Sequence, residues 1–311
     1  MKTVFFTLRP PTGSYGGGAF FVKNLSTFLT KEGYRVVYDL VEGIDLIFII
    51  DPRRDNNNRW SLLDVIKYKK TYPNVHIIHR VNECDIKREC TLNLEPLLLR
   101  TMGVADTVIF ISGWLRDYFV NKYNLTLKDQ HVIYNGCDRN IYFPVDKKRN
   151  TKIRLVTHHW SNNYFKGFDV YNTLDDLLPS YPNIQFTFIG NYNNRYRPRN
   201  IRLISPTNGE KLANLIRKHD IYVTASKNEP CGMHHIEGLS CGLPILYRSG
   251  CGGIAEACND VGEEFSDIPS FFKMLKKVNE NYDTYTNNIN YEKLGSERCS
   301  LEYLKIIKTF L

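Results

Sequence analysis

Long apolar runs are missing from this chain. The longest, Ile44–Ile50, is interrupted by Asp45 and falls far short of the ~20 residues that a membrane-spanning helix needs. Met1–Phe6 offers one lysine and then a short apolar stretch, too little for the core of a secretory signal. The chain therefore reads as soluble and cytoplasmic. Eight cysteines, at 84, 90, 137, 231, 241, 251, 258 and 299, contain no Cys-x-x-Cys pair and no zinc-module spacing, which leaves reduced cytosolic thiols as the reading. There is also no polybasic block of the kind a nucleic-acid arm carries, so no nucleic-acid partner is expected.

What is present is ordinary globular material, with 42% apolar and 24% charged residues. Single cores stop growing near ~250–300 residues, so 311 residues favour two domains. Net charge is +8 and unevenly spread: residues 1–150 hold 22 Lys and Arg against 16 Asp and Glu, and residues 151–311 hold 19 against 17. A basic first half suits anionic substrates or peripheral contact with a membrane surface.

Short β-rich runs alternate with amphipathic stretches along the whole chain. Thr3–Phe6, Arg35–Tyr38, Leu46–Ile50, Val75–Ile78, Thr107–Ile111 and His131–Tyr134 read as strands, with a helix over Phe20–Thr30. Apolar strands separated by helices require a parallel sheet covered on both faces. The pattern stops between Asn140 and Asn150, a linker candidate. It restarts with strands at Arg154–Thr157, Gln185–Gly190, Ile201–Ile204, Ile221–Thr224 and Pro244–Tyr247, and helices at Asp169–Leu178 and Glu210–Arg217. The expected domains are 1–145, 151–295 and a closing helix at 296–311.

The most informative segment is Ser226–Gly238. It follows a strand, makes a glycine-bearing turn at Gly232 and enters a helix, so that backbone N–H groups at the helix start form an anion site. Glu229 falls in the loop, where a carboxylate can accept from sugar hydroxyls. Glu237 falls about one turn into the helix, within reach of a ribose. An acidic surface loop beside a core helix would carry the same two glutamates, so the continuation matters: Glu237-Gly238-Leu239-Ser240-Cys241-Gly242-Leu243-Pro244-Ile245, then Gly250-Cys251-Gly252-Gly253-Ile254-Ala255-Glu256.

This sequence resembles the Glu-x7-Glu motif of family 4 retaining glycosyltransferases, the group that includes glycogen synthases, sucrose synthases and many lipid mannosyltransferases. The two continuations are similar to that family's Gly-x-Pro strand and Gly-Gly-x-x-Glu loop. Gly16-Gly17-Gly18 resembles its Gly-Gly turn, although a flexible loop would look the same. Ile109–Ser112 and Ile133–Asp138 with Phe143 resemble two further segments. Lys166-Gly167 stands where the family has a lysine that grips the donor diphosphate. Ser161 occupies the position of the family's arginine, five residues earlier, and so removes one cation.

The resemblance implies an α/β GT-B fold, two Rossmann-like domains whose parallel sheets face a central cleft. It implies transfer of a sugar from a nucleotide diphosphate donor to a glycan, lipid or small-molecule acceptor, with retention. Expected catalytic residues are Glu229, His79 and Lys166; His79 ends an apolar strand beside Arg80, Asn82 and Glu83. Expected donor-binding residues are Gly17, Gly18, Ser161, Lys166, Cys231, Gly232, Met233, His234 and Glu237. No cofactor or metal is implied, because the chain lacks the Asp-x-Asp sequence of metal-dependent sugar transferases. A nucleotide-sugar epimerase, a phosphorylase or a non-catalytic nucleotide-sugar-binding protein would share the architecture.

Overall fold

The computed structural model describes residues 1–10, 16–54, 59–89, 93–149 and 151–311. Its first elements are β1 (Thr3–Phe6), α1 (Gly17–Lys31), β2 (Arg35–Val37), β3 (Leu46–Ile49), α2 (Leu62–Thr71), β4 (His76–Val81), α3 (Glu95–Val104), β5 (Thr107–Phe110), α4 (Gly113–Tyr123) and β6 (Gln130–Val132). The series continues with β7 (Ile153–His159), α5 (Phe168–Leu177), β8 (Ile184–Gly190), β9 (Arg202–Ile204), α6 (Gly209–Ile216), β10 (Ile221–Thr224), α7 (Met233–Ser240) and β11 (Ile245–Arg248). It closes with α8 (Ile254–Cys258), β12 (Gly262–Phe265), α9 (Ile268–Glu280), α10 (Tyr282–Asn287) and α11 (Ser296–Phe310). Among the described residues no helix is long and apolar enough to cross a membrane. The seven described cysteines are buried thiols; Cys90 lies outside the described residues.

The chain divides into two compact units. One holds Met1–Asp85, Thr91–Asn135 and Ser296–Leu311; the other holds Ile86–Cys90 and Gly136–Gly295. In the first unit all six strands run parallel in the order β2-β1-β3-β4-β5-β6. Every residue of β1, β3 and β5 is buried, as strands covered on both faces must be. One face packs on α1 and α11, where the Phe21 and Tyr303 rings meet at 4.8 Å and Leu25, Leu29, Leu304 and Ile307 complete the layer. The other face takes Leu62, Val65 and Tyr68 of α2 against Ile47 and Ile77.

The second unit has its own parallel sheet, ordered β12-β11-β10-β7-β8-β9. From β7 the chain steps outward to β8 and β9, then returns to lay β10 on the opposite side of β7. Strand order therefore reverses between β7 and β10. Sites in open α/β sheets form outside the carboxyl ends of strands at such a reversal. Aromatic packing around Phe168, Tyr171, Phe188 and Tyr196 fills the core.

The division runs differently from the boundary read at 145–151. Residues after Asn135 are bound into the second unit: the Cys137 N–H donates to the Leu294 carbonyl at 2.8 Å, Arg139 donates to the Ser240 carbonyl at 3.1 Å, and Tyr142 is buried. Asn150, the end of the expected linker, lies outside the described residues. Strand β12 was not anticipated, because Gly-Glu-Glu-Phe at a half-exposed sheet edge has neither an apolar run nor a clear alternation.

Candidate functional site

Two loops flank the reversal. After β7 the chain runs through Trp160–Asn163 into a single tight turn, Tyr164–Lys166, whose start is capped by the Asn163 carboxamide oxygen accepting from the Phe165 N–H. Gly167 follows with φ +100°, and a Cβ there would stand 2.7 Å from the Ala225 carbonyl carbon and oxygen. Glycine thus allows the β7 loop to close on the β10 loop. The Lys227 N–H, donating to the Phe165 carbonyl at 2.8 Å, joins the same two loops.

This closure brings Lys166 to Glu229, and the ammonium donates to Oε2 of the carboxylate in an ion pair that is mostly buried. Burial pushes the Glu229 carboxyl up, but the Lys166 ammonium, helped by Lys87, overrides it and holds the group down at about 2. Glu229 is therefore anionic across the neutral range. It can accept hydrogen bonds and balance positive charge, and it has no proton to give.

The backbone of Glu229 is fixed by the glycine loop that follows β11. Its N–H donates to the Cys251 carbonyl at 3.0 Å, its carbonyl accepts from the Gly253 N–H at 2.9 Å, and the Asn228 N–H donates to the Gly250 carbonyl at 3.0 Å. Gly252, at φ +77°, passes so close that a Cβ would lie 2.6 Å from the Glu229 carbonyl oxygen. The Gly-Gly segment singled out in the sequence acts here through its lack of side chains, as a rail for the loop carrying the glutamate.

Helix α7 starts at Met233, with Gly232 as its N-cap and no side-chain cap on its first amides. Cys231 and His234 are buried beneath this start, and His234 Nε2 meets Thr224 Oγ1 at 3.0 Å. Gly238 lets the helix lie on β10, since a Cβ would stand 2.6 Å from Cγ of the Tyr222 ring and closer still to Cδ2. Glu237 then reaches His158 at the end of β7, with Oε2 2.6 Å from Nε2. His158 Nδ1 lies 3.0 Å from the Tyr222 hydroxyl. The imidazole thus bridges the two, Nε2 facing the carboxylate and Nδ1 the Tyr222 hydroxyl. Burial, with the Glu237 carboxylate nearby, pushes the Tyr142 phenol up.

Ser161 accepts from the Asn163 N–H at 3.2 Å and lines a cavity of about 720 Å³ outside the ends of β7, β8 and β9. Its walls include Trp160 and Tyr192, 48% and 46% exposed, and the backbone run Leu203–Pro206. No acidic residue lines it among the described residues.

The remaining expected residues belong to the first unit. Gly17 and Gly18 form the first turn of α1 rather than a loop before it, and a Cβ on Gly18 would meet Asn82 Nδ2 at 3.4 Å. His79 does not end its strand. β4 continues to Val81, and the His79 ring is fully buried, with neither nitrogen hydrogen-bonded; burial drives it down to about 3. Charge-bearing contacts that the sequence reading missed are those of His158 and Lys87. The His-His-Trp run after an apolar strand was a visible signal for the first, and no local pattern marked the second.

Residues 162–291 match the family model described as glycosyl transferases group 1. A probable sucrose-phosphate synthase of Thermosipho melanesiensis is 26% identical over 208 residues, covering 58% of this chain and 48% of that protein. An uncharacterized glycosyltransferase of Methanocaldococcus jannaschii is 22% identical over 215 residues, covering 61% and 57%. The chain thus matches about half the length of these curated relatives. Among solved structures, a sucrose-phosphate synthase of Thermosynechococcus elongatus superposes with a TM-score of 0.75 at 13% identity, covering 99% of both chains. HepE of Anabaena, solved with UDP and glucose, gives 0.74 at 14% identity over 99% of this chain and 100% of that one. The fold is that of these GT-B proteins: α/β, with two six-stranded parallel sheets.

Proposed function

We propose that the protein is a glycosyltransferase that moves a sugar, with retention, from a nucleoside diphosphate donor to a glycan, lipid or small-molecule acceptor. The observation that carries this reading is the buried Lys166–Glu229 pair at the strand-order reversal, inside the segment that matches the group 1 glycosyltransferases. A cation and a permanent anion side by side suit a bond that breaks into a leaving diphosphate and a sugar with oxocarbenium character. Lys166 and the uncapped amides around Gly232 and Met233 meet the growing negative charge of the diphosphate. Glu229 accepts from sugar hydroxyls and balances the positive ring without forming a covalent bond. Glu237, steadied by His158, holds the ribose, and the cavity beside Ser161 has room for base and phosphates together.

HepE binds UDP and UDP-glucose, which puts uridine donors first in the test. Thermal-shift screening against UDP-, GDP- and ADP-sugars should raise the melting temperature for one base, since a ligand of the native state stabilises it by mass action. No shift with any donor would defeat the reading. Because the charge stabilisation comes from Lys166 and amides, chelation with EDTA should leave transfer unchanged.

A further inference from the structure

Residues 86–89 come early in the sequence yet are fastened to the second unit. The Asn228 carboxamide donates to the Ile86 carbonyl at 3.1 Å, the Asn163 carboxamide donates to the Lys87 carbonyl at 2.7 Å, and Arg195 pairs with Glu89. Two of these anchors belong to the loops that carry Lys166 and Glu229. The segment is thus a strap tied across the donor loops. Arg88, at its centre, lines the same cavity as Ser161 and Asn162, and among the described lining residues it is the only cation.

We propose that Arg88 is a contact for the diphosphate of the donor, brought to the site by the strap. The inference rests on the donor reading above. A diphosphate brings at least two negative charges, whereas the Lys166 ammonium is already committed to Glu229. The Ser161 side of the cavity has no other cationic side chain among the described residues that line it. A planar guanidinium can meet two phosphate oxygens at once, in a geometry that an ammonium cannot copy. The strap's other cation, Lys87, is near enough to Glu229 to help keep its carboxyl ionised.

Calorimetry with nucleoside, nucleoside monophosphate and nucleoside diphosphate of the preferred base, on wild type, Arg88→Ala and Arg88→Lys, tests this. Arg88→Ala should weaken the diphosphate roughly ten- to hundredfold, the span expected for one charge-assisted contact, and leave the nucleoside nearly unchanged. Arg88→Lys should recover part of the loss, which a merely misfolded strap would not allow. Equal weakening of nucleoside and diphosphate would place Arg88 on the base and overturn the proposal. So would an Arg88→Ala protein that keeps the full preference for diphosphate over nucleoside; the donor reading would then stand without Arg88. A wild-type protein that binds no nucleotide of any base would remove both.

Discussion

Lys166 and Glu229 neutralise each other in a place where either charge alone would be costly. Losing one partner of such a pair typically costs about 3–5 kcal/mol, so charge removal with size retained is the gentler probe. Glu229→Gln should lower transfer by roughly a hundredfold or more while nucleoside diphosphate affinity holds or rises, because Lys166 loses a competing anion. Single-turnover rates beside calorimetry on the same folded variant decide this; a variant that binds nucleotide poorly yet transfers normally when saturated would exchange the roles of Glu229 and Glu237. Glu237→Gln should weaken nucleoside and nucleoside diphosphate alike, since both carry the ribose, and unchanged affinity for either would take Glu237 out of the site. Both glutamates, Lys166 and the glycines were legible as residue types in a sequence pattern. Their partners were not. His158 stands 79 positions from Glu237, and only a folded sheet joins them.

At the scale of elements, most strands are legible because buried parallel strands are continuous apolar runs, and outside β4 and the unread β12 their edges fall within a residue or two of the pattern. Strand β4 was read too short because His79 and Arg80 looked like a polar exit, whereas both are buried within it. The glycine loop after β11 was read as a motif, but its use as a backbone rail needs the β10 loop beside it. That use gives a sharp contrast between two glycines. Gly252→Ala must place a side chain at φ +77° against the Glu229 carbonyl, a strain of about 1–3 kcal/mol before any clash, so it should lower both melting temperature and transfer rate. Gly103→Ala, exposed near the end of α3 with nothing within 4 Å, should instead raise stability by up to ~1 kcal/mol through helix propensity. Melting curves of the two variants check the pair; equal effects would mean that Gly252 is not confined as described.

At the scale of the whole molecule, acid should act on buried histidines before it acts on carboxylates. Burial holds His79 and His235 down to about 3 and His219 to about 4, and His159 and His234 well below their ordinary value of 6.5. Above pH 6.5 folded and unfolded chains are equally unprotonated at these rings, so their contribution is fully present. As pH falls from 6.5 towards 3–4 the unfolded chain gains protons that the folded one refuses, and stability drops by up to ~1.4 kcal/mol per pH unit per histidine. Glu229 adds its own loss only between 4.5 and about 2. Calorimetric melting between pH 8 and 4.5 should therefore be flat at first and steepen below 6.5; a decline that begins only below pH 5 would contradict neutral burial of these rings. The placement of α11 has a consequence for the order of synthesis. Its buried face, Cys299 to Ile307, completes the core over α1, yet the ribosome makes it only after all of Gly136–Gly295. At ~5–20 residues per second that interval lasts roughly 8–30 s. Throughout it the apolar side of α1 that Tyr303, Leu304 and Ile307 cover in the finished fold is still without that cover.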